Sequence, residues 1–413
     1  MAKKAQAKIQ SKDVQGLKYL KVLQPLLESL HGSGCQRDKA GNRQLHMDHY
    51  CMMVLLWLYS PLLTSVRAVQ QASQLEKVRR KFKIPRAALG SLSESVRAFD
   101  PQALKDMAQE LGHQIPSISR AHADSKLASI DKRITAVDGS IVKVLKQVAD
   151  LAWVKVGNNN DTCGYRLHTQ FEILRELPSR IDATSANPKG ECDERAVLAQ
   201  TLESDRLYVM DRGYIKWQLF NAIVAKGSSY VCRMRDKIQY EIKEPCELSE
   251  ADKQAGVLSD EVVVIPASER TEPIDHPVRL ICVKCSPHTS RGCRSGRQFS
   301  SSAPSSDGVL RILTNDLQTP AELIGEIYAK RWTIELFFRM FKQLLGCKHL
   351  LSTKQDGVEI QIYSAIIACM LIMLYTGGPV TKRTFEMVCF YIAGWATLEE
   401  LEAHIKKIQP TQA

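Results

Sequence analysis

The chain has 413 residues, of which 44% are hydrophobic and 24% charged, and its formal net charge is +11. This composition is that of a soluble globular protein with room for two or three domains. The longest apolar run, AIIACMLIMLY at 365–375, is too short to cross a membrane and predicts a core helix, which argues against a membrane protein. The excess positive charge favours a polyanionic partner such as nucleic acid.

The twelve cysteines are spread along the chain without repeated paired spacing, and the polar start MAKKAQAKIQSKDV is no secretory signal. Reduced thiols in a cytoplasmic protein are therefore expected. Cys282 and Cys285, followed by His288 and Cys293, invite a zinc interpretation. An alternating strand followed by a loop is favoured instead, because a second paired motif is missing.

The N-terminal region is predicted to be helical. A basic arm at about 1–15 is followed by helical patterns at about 17–31, 47–59, 64–77, 91–97 and 101–112. Among them lies the stretch KVRRKFKIPR, whose cations are Lys77, Arg79, Arg80, Lys81, Lys83 and Arg86. A DNA-binding surface that contacts phosphates and a solvated loop both fit this stretch.

From Ile134 the pattern changes to strands, at VDGSIVKVL, YRLHTQFEIL and SRIDATSA. A helix at about 193–203, a strand at 207–210 and a helix at 214–226 follow, so we predict a mixed α/β sheet. Asp138 and Asp211 each end a β-branched-rich run, at the point where a strand meets a loop. His168 lies on the polar side of its strand, which predicts an exposed structural histidine.

Between Tyr230 and about Asp307 the alternation of helix and strand stops, and YVCRMR, IQYEIK, EVVVIPA and VRLICVKC read as strands. We therefore predict a β-rich insertion at 236–306, after which RILTND at 311–316 resumes the sheet. Its last part, 286–306, contains three arginines and no acid, so it could lie on DNA or be disordered. Two further helices are predicted at 357–376 and 381–407.

The stretch YAKRWTIELFFRMFK at 328–342 predicts a helix with one polar side. At about 100° per residue, four polar residues fall within an arc of roughly 60°: Tyr328, Arg331, Glu335 and Lys342. Apolar side chains cover most of the remaining circumference, which is typical of a buried helix. Buried charges must be paired or must bind a ligand. An ordinary Arg331–Glu335 pair and a functional site therefore both fit the spacing.

Three separated motifs together resemble the bacterial insertion-sequence transposases of the DDE type. They are Asp138 before Gly, Asp211 in DRGY, and the spacing Y-x2-R-x3-E-x6-K formed by Tyr328, Arg331, Glu335 and Lys342. This last spacing is the signature of one group of these transposases, named YREK after its Tyr-Arg-Glu-Lys residues. The resemblance covers roughly residues 130–350.

The resemblance implies a mixed α/β fold with a ribonuclease-H-like catalytic core at 126–235 and 307–355, interrupted by the β-rich insertion at 236–306. It also implies a helical DNA-binding region at 1–125 and a C-terminal helical region at 356–413, which either contacts another subunit or packs on the sheet. In the best-described relatives a tryptophan of the insertion stacks on an unpaired base. All five tryptophans of this chain lie outside the insertion, so any such stacking uses another side chain.

The function implied by the resemblance is metal-dependent cleavage at insertion-element ends, followed by 3′-hydroxyl strand transfer into target DNA. The catalytic and metal-binding acids would be Asp138, Asp211 and Glu335, with Mg²⁺ or Mn²⁺ as cofactor. DNA phosphates would contact Tyr328, Arg331 and Lys342. The expected partners are double-stranded DNA, as terminal inverted repeats and target, and a second copy in a homodimer. The expected location is the bacterial cytoplasm, at the nucleoid.

The residue types suit this chemistry. Three carboxylates brought together repel one another, so one stays protonated unless cations are present. Mg²⁺ and Mn²⁺ prefer hard oxygen ligands, and a pair of such ions can activate an attacking hydroxyl and stabilise the leaving oxygen. Two other functions fit the sequence: a metal-dependent nuclease of the same fold without strand transfer, and a non-catalytic DNA-binding protein derived from a transposase. The intact set of three acids argues against the second.

Overall fold

The computed structural model describes most of the chain beyond its first 26 residues. The described ranges are 27–28, 30–32, 35, 37–39, 41–60, 62–114, 126–144, 153–155, 161–185, 190–235, 238–266, 272–285, 308–346, 351–352, 354–376 and 380–408. The predictions for the basic arm and the 286–306 loop, and most of the predicted 17–31 helix, lie outside the described residues. Residues 27–28 and 30–32 are helical, in agreement with the end of that helix.

The regular elements alternate between helical and stranded segments. The helices are α1 (Met47–Tyr59), α2 (Val66–Gln74), α3 (Glu76–Phe82), α4 (Leu89–Ser95), α5 (Pro101–Gln114), α6 (Glu194–Gln200), α7 (Trp217–Ala225), α8 (Glu250–Gln254), α9 (Ala321–Lys330), α10 (Trp332–Gly346), α11 (Gln355–Thr376), α12 (Lys382–Ala393) and α13 (Leu398–Ile408). The strands are β1 (Arg133–Val144), β2 (Trp153–Lys155), β3 (Asp161–Glu172), β4 (Leu177–Ser185), β5 (Arg206–Met210), β6 (Ser229–Arg233), β7 (Glu241–Pro245), β8 (Val257–Val264), β9 (Val278–Lys284) and β10 (Val309–Thr314).

All ten described strands belong to one sheet, in the order β2-β3-β1-β5-β6-β10-β9-β8-β7, with β4 also paired to β3. The pairs β4–β3 and β3–β1 are antiparallel, whereas β1–β5 and β5–β6 are parallel. The remaining pairs, from β6–β10 to β8–β7, are antiparallel. This large mixed sheet with helices on it confirms the predicted mixed α/β class.

The strands of the 236–306 segment extend the main sheet. All of β10 pairs with β9, and β8 and β7 follow outward. The short helix α8 was not predicted, although Ser249 and Asp252 form a capping box at its start. The described strands of this segment, β7, β8 and β9, continue the sheet to its far edge, and the assignment of 236–306 as an insertion stays a prediction.

The helices of the N-terminal and C-terminal regions share one hydrophobic core. α11 lies at its centre, in contact with α1, α5 and α10, and β3 and β4 close one side. α11 is long and apolar enough to cross a membrane by length and composition, but 94% of its most apolar window is buried inside the protein. Its apolar surface is thus covered by the fold itself, as expected for a core helix.

Two predicted helices are divided in the structure. The 381–407 helix ends at Gly394, which adopts a left-handed φ of +81° and caps α12. Thr397 and Glu400 then hydrogen-bond reciprocally at the start of α13. The 328–342 helix is divided at Arg331. There the Arg331 N–H donates to the Tyr328 carbonyl and the Ile334 N–H donates to the Arg331 carbonyl, and these two i to i+3 bonds tighten the turn between α9 and α10. A single continuous helix was therefore wrong in both places.

Two predictions of exposure were also wrong. His168 is buried rather than exposed, because α6 covers the polar side of β3 and Thr184 hydrogen-bonds the histidine at 2.8 Å. This burial lowers the pKa of His168 to about 4, so the ring is neutral and structural. Conversely, α10 is not buried all round: Trp332 and Leu336 are about half exposed, since only one side of the helix packs on the sheet.

Candidate active site

Asp138 and Asp211 lie at matching positions of two neighbouring parallel strands. Ala136 of β1 pairs with Val209 of β5, and each aspartate lies two residues further along its strand direction. Neighbouring strands are about 4.8 Å apart, so the two carboxylates leave the sheet side by side. The residues two before them, Ala136 and Val209, face the core beneath α9 and α10. Alternation along a strand places both carboxylates on this same side.

The backbone after each aspartate holds its carboxylate in place. The Gly139 N–H donates to Asp138 Oδ1 at 2.8 Å, and the Gly213 N–H donates to Asp211 Oδ1 at 2.8 Å. A Cβ added at Gly213 would lie 2.8 Å from the same Asp211 oxygen, closer than ordinary side chains allow. A side chain at Gly213 would therefore displace the Asp211 carboxylate, which caps this turn.

Arg331 lies between the acids of the strands and the acid of the helix. Its Nη2 donates to Glu335 Oε1 at 2.7 Å, across one turn at the start of α10. Burial raises the pKa of Asp138, and the charge of the same guanidinium opposes that rise, so Arg331 interacts with both carboxylates. Arg331 Nε is buried and has no hydrogen-bond partner among the described residues. The guanidinium thus has a donor left for an incoming acceptor.

Tyr328 supports this arginine from the last turn of α9. The Arg331 guanidinium carbon lies 5.9 Å from the centre of the Tyr328 ring, within the range of a cation–π interaction. The tyrosine is half-buried against the core beneath α9 and α10, and burial raises its pKa. Its ring therefore gives the guanidinium a fixed surface to lie on.

Lys342 lies further along α10, with its side chain exposed to solvent. Seven residues separate it from Glu335, which is about 10 Å along the helix axis and close to two full turns. The lysine is therefore on the same side of α10 as the glutamate but away from the aspartates. Among the four residues of the Y-x2-R-x3-E-x6-K spacing, Arg331 contacts both Tyr328 and Glu335, and Lys342 lies apart from these contacts.

The acids are close enough to influence one another's ionisation. Burial, together with the charges of Asp211 and Glu194, raises the pKa of Asp138 from an ordinary value of 3.8 to about 7, against the opposing effects of Arg331 and the Gly139 N–H. Within the described residues, however, the ligand atoms of Asp138, Asp211 and Glu335 do not all lie within 4.8 Å of one another. Glu335 is held instead by Arg331.

Glu194 is a carboxylate near the site that the sequence did not predict. It begins α6, pairs with Arg166 of β3, and lies against Gly139, where an added Cβ would overlap its carboxylate. Burial raises the pKa of Glu194, and Asp211 raises it further. The sequence did contain a signal for the start of this helix, because Asp193 can serve as the N-cap and Glu194 precedes an apolar pattern. Its proximity to Asp138 follows only from the tertiary fold.

The basic stretch predicted in the N-terminal region forms helix α3 and one wall of a cleft. This cleft has a volume of about 470 Å³ and is lined by His49, Glu76, Arg79, Arg80, Lys83, Ile84 and Pro85. Arg80 pairs with Glu76, whereas Arg79 Nε is buried without a hydrogen-bond partner in the described part of the chain. We call this feature the basic cleft.

Comparison with known proteins identifies the family. A family model for the transposase DDE domain matches residues 129–371, more than half of the chain and a range that includes Asp138, Asp211 and Glu335. The chain belongs to the DDE transposase family. This confirms the DDE resemblance; the YREK group within it stays a prediction.

Two curated relatives support the same assignment of the DDE transposase domain. A Sinorhizobium fredii protein named as transposase y4zB is 26% identical over 223 residues, which are 54% of this chain and 56% of that protein. A Geobacillus stearothermophilus protein named as the transposase of insertion sequence element IS5377 is 25% identical over 235 residues, or 55% of each. The chain thus spans about half the length of the curated relatives it matches.

One solved structure aligns with most of the chain. The piggyBac transposase synaptic complex with hairpin DNA has a TM-score of 0.41 and 11% identity, over 88% of this chain and 76% of that one. This similarity is too weak to transfer any geometry to the DDE transposase domain described above.

The raised pKa of Asp138 predicts how stability depends on pH without divalent cations. Because the pKa of Asp138 is raised in the folded protein, its protonated form contributes to the free energy of unfolding. This contribution is fully present below pH 3.8 and is lost as the pH rises through about 7. Asp138→Asn does not titrate, so it should gain in melting temperature relative to the wild type between about pH 5 and about pH 8 in chelator. Added Mg²⁺ should narrow the gap at the higher pH. Thermal melts across this range measure the effect, and a gap that is independent of pH would contradict it.

Proposed function

We propose that this chain is a DNA transposase of the YREK group, which cuts the ends of its insertion element and joins them through 3′-hydroxyl groups to target DNA. The observation that supports this most is the pairing of Asp138 and Asp211 on parallel strands beneath the Arg331–Glu335 pair. An acid site with an adjoining cation suits a reaction that needs both divalent ions and bound phosphates.

The order of the first strands supports a ribonuclease-H-like core. Across the sheet, the strands β4, β3 and β1 are antiparallel to their neighbours in this order, and the strands β1, β5 and β6 are parallel to one another. The first aspartate lies on the central strand β1, the second follows its parallel neighbour, and the glutamate comes from a later helix that packs on β1. We assign the core to 126–235 and 307–355, with 236–306 as its insertion.

The donor set fits a hard divalent cation. Asp138, Asp211 and Glu335 offer only carboxylate oxygens, and burial together with the nearby charge of Asp211 raises the pKa of Asp138, which a bound cation would lower. These three residues would hold Mg²⁺ or Mn²⁺, whose bound form activates the attacking hydroxyl and stabilises the leaving oxygen.

Arg331 has a second role in this proposal. Its guanidinium compensates Glu335 in the arrangement described, and its Nε has no hydrogen-bond partner among the described residues. A planar guanidinium can bind a phosphate with two parallel hydrogen bonds. We propose that a DNA phosphate replaces Glu335 as the hydrogen-bond acceptor of Arg331. The Glu335 carboxylate is then free to turn toward the two aspartates. Tyr328 keeps the guanidinium in position, and Lys342 contacts a flanking phosphate.

The remaining partners follow from charge. A net charge of +11 favours DNA, and the basic cleft in the 1–125 region provides clustered arginines away from the acids. We propose that this region binds the terminal repeats, that two copies act together on DNA, and that the protein acts at the bacterial nucleoid. The C-terminal region, 356–413, supports the N-terminal helices through the shared core.

The acids are tested by removing one negative charge at a time. Asp138→Asn, Asp211→Asn and Glu335→Gln should each abolish Mg²⁺-dependent cleavage of DNA that carries the element ends, because each variant loses a cation ligand at constant size. DNA binding and folding should persist. Glu326→Gln, on the neighbouring helix α9, is the matched control and should cleave normally. Near-wild-type cleavage by one of the first three would remove that residue from the site.

The same assay separates the two alternative functions. A pre-cut end with a free 3′-hydroxyl, incubated with a target plasmid, should be joined to that plasmid. Cleavage without joining would indicate a nuclease, and binding without either reaction would indicate a non-catalytic DNA-binding protein.

The cations are tested through salt dependence. Lys342→Ala should lower the slope of log affinity against log salt by about 0.9, the value for one lost phosphate contact on duplex DNA. Arg331→Lys should weaken binding of cleaved ends, because a point charge cannot form the two parallel bonds of a guanidinium. Lys406→Ala, an exposed position on the last helix, is the control. A lower melting temperature with an unchanged slope in both test variants would show that these cations act only in the fold.

A further inference from the structure

A second cluster of possible metal ligands lies in the N-terminal helical region. His31, Asp48 and His49 each offer one ligand atom, and these atoms all lie within 4.8 Å of one another. His31 belongs to the helical residues 30–32, whereas Asp48 and His49 lie in the first turn of α1. The cluster therefore joins two segments of the chain, and none of its members belongs to the acid site.

The distances within the cluster suit a small ion. Asp48 Oδ2 lies 2.9 Å from His31 Nδ1 and 3.8 Å from His49 Nε2. Around a tetrahedral zinc ion, bonds of about 2.0–2.1 Å place neighbouring ligand atoms about 3.4 Å apart. The two observed distances lie on either side of this value, so small rotations of the two rings would complete the geometry.

Two further residues extend the cluster. The His46 ring stacks on the His31 ring with centroids 3.8 Å apart, and His46 Nδ1 lies 3.2 Å from the His31 carbonyl oxygen. Cys35 Sγ lies 3.9 Å from the same nitrogen. Three of the ten histidines of the chain thus meet one carboxylate and one thiol. Imidazole, carboxylate and thiolate are the ligands that zinc takes in proteins.

Unsatisfied atoms distinguish this cluster from an ordinary hydrogen-bonded pair. A His31–Asp48 hydrogen bond at the start of a helix would by itself be a common structural feature. Here, however, Asp48 Oδ1 and His49 Nδ1 are both buried without a hydrogen-bond partner among the described residues. Buried polar atoms left unpaired are costly in free energy. An ion bound by Asp48 Oδ2 can also accept Asp48 Oδ1 as a ligand and so offset that cost, whereas His49 Nδ1 lies on the other side of its ring from Nε2 and cannot bind the same ion.

We propose that His31, Asp48 and His49 bind a divalent transition metal of the zinc class. Nitrogen donors select such an ion over Mg²⁺, so this site is chemically distinct from the three catalytic acids. His46 is a positioning residue that fixes the His31 ring through stacking. The proposal is independent of the transposase reaction.

The site has a structural consequence for the neighbouring surface. His49 also lines the basic cleft, next to Arg79 and Lys83. A metal bound to His49 fixes the first turn of α1 against the segment that carries His31. The ion therefore holds one wall of the basic cleft in place.

The proposal is tested by metal content and melting. The full chain is stripped with chelator, incubated with Zn²⁺, and passed over a desalting column before elemental analysis. One equivalent of zinc should remain, and zinc should raise the melting temperature. His49→Gln and Asp48→Asn should lower zinc affinity by more than about 100-fold, since even outer contacts of a metal site contribute 10–100-fold. Asp138→Asn should retain the equivalent, which excludes binding at the catalytic acids.

His404→Gln is the matched control, because it removes an imidazole from the last helix and should leave zinc binding unchanged. If His49→Gln fails to fold, His31→Gln replaces it, since the His31 side chain is 48% exposed and removable without opening the core. Absence of retained zinc in the wild type, or equal zinc in the wild type and the cluster variants that fold, would overturn the proposal.

Discussion

The arrangement of the candidate site depends on one partly buried cation, Arg331, placed among carboxylates. Arg331 is paired with Glu335 at 2.7 Å and also lowers the pKa of Asp138. Without it, the acids of β1, β5 and α10 would meet with no compensating charge, at a high cost in free energy. The tight turn between α9 and α10 directs the arginine to the sheet, and the Tyr328 ring lies beneath its guanidinium. The turn, the ring and the two strands therefore work as one unit.

The rest of the fold fixes where this unit stands. Parallel pairing of β1 and β5 sets Asp138 beside Asp211, and buried residues on both sides of the sheet hold that register. A slip by one residue would turn either aspartate to the opposite side of the sheet. The N-terminal and C-terminal helices are anchored through α11, which shares a core with β3 and β4. Distant ends of the chain thus support the edge of the sheet that carries the two aspartates.

The sequence predicted the features that depend on local pattern. A β-branched-rich run followed by glycine correctly placed Asp211 directly after β5, but the same pattern was wrong for Asp138, which lies within β1 because that strand continues past Gly139 to Val144. The pairing of Arg331 with Glu335 followed from helical spacing. Non-local features escaped prediction: Glu194 reaches Asp138 through tertiary packing, and the insertion strands join the main sheet through β10. The break at Gly394 was missed although Gly followed by Thr-x-x-Glu is a local stop-and-start signal. The break at Arg331 has no such signal, because its backbone stays helical.

Anomalous diffraction from crystals grown with Mn²⁺ and a DNA end tests the central claim most directly. If Arg331 exchanges its partner Glu335 for a DNA phosphate, the anomalous map should show a manganese ion bound by Asp138 and Asp211. The Glu335 carboxylate should be turned toward that ion, and Arg331 should contact a DNA phosphate. An intact Arg331–Glu335 pair with no manganese at the aspartates would contradict it.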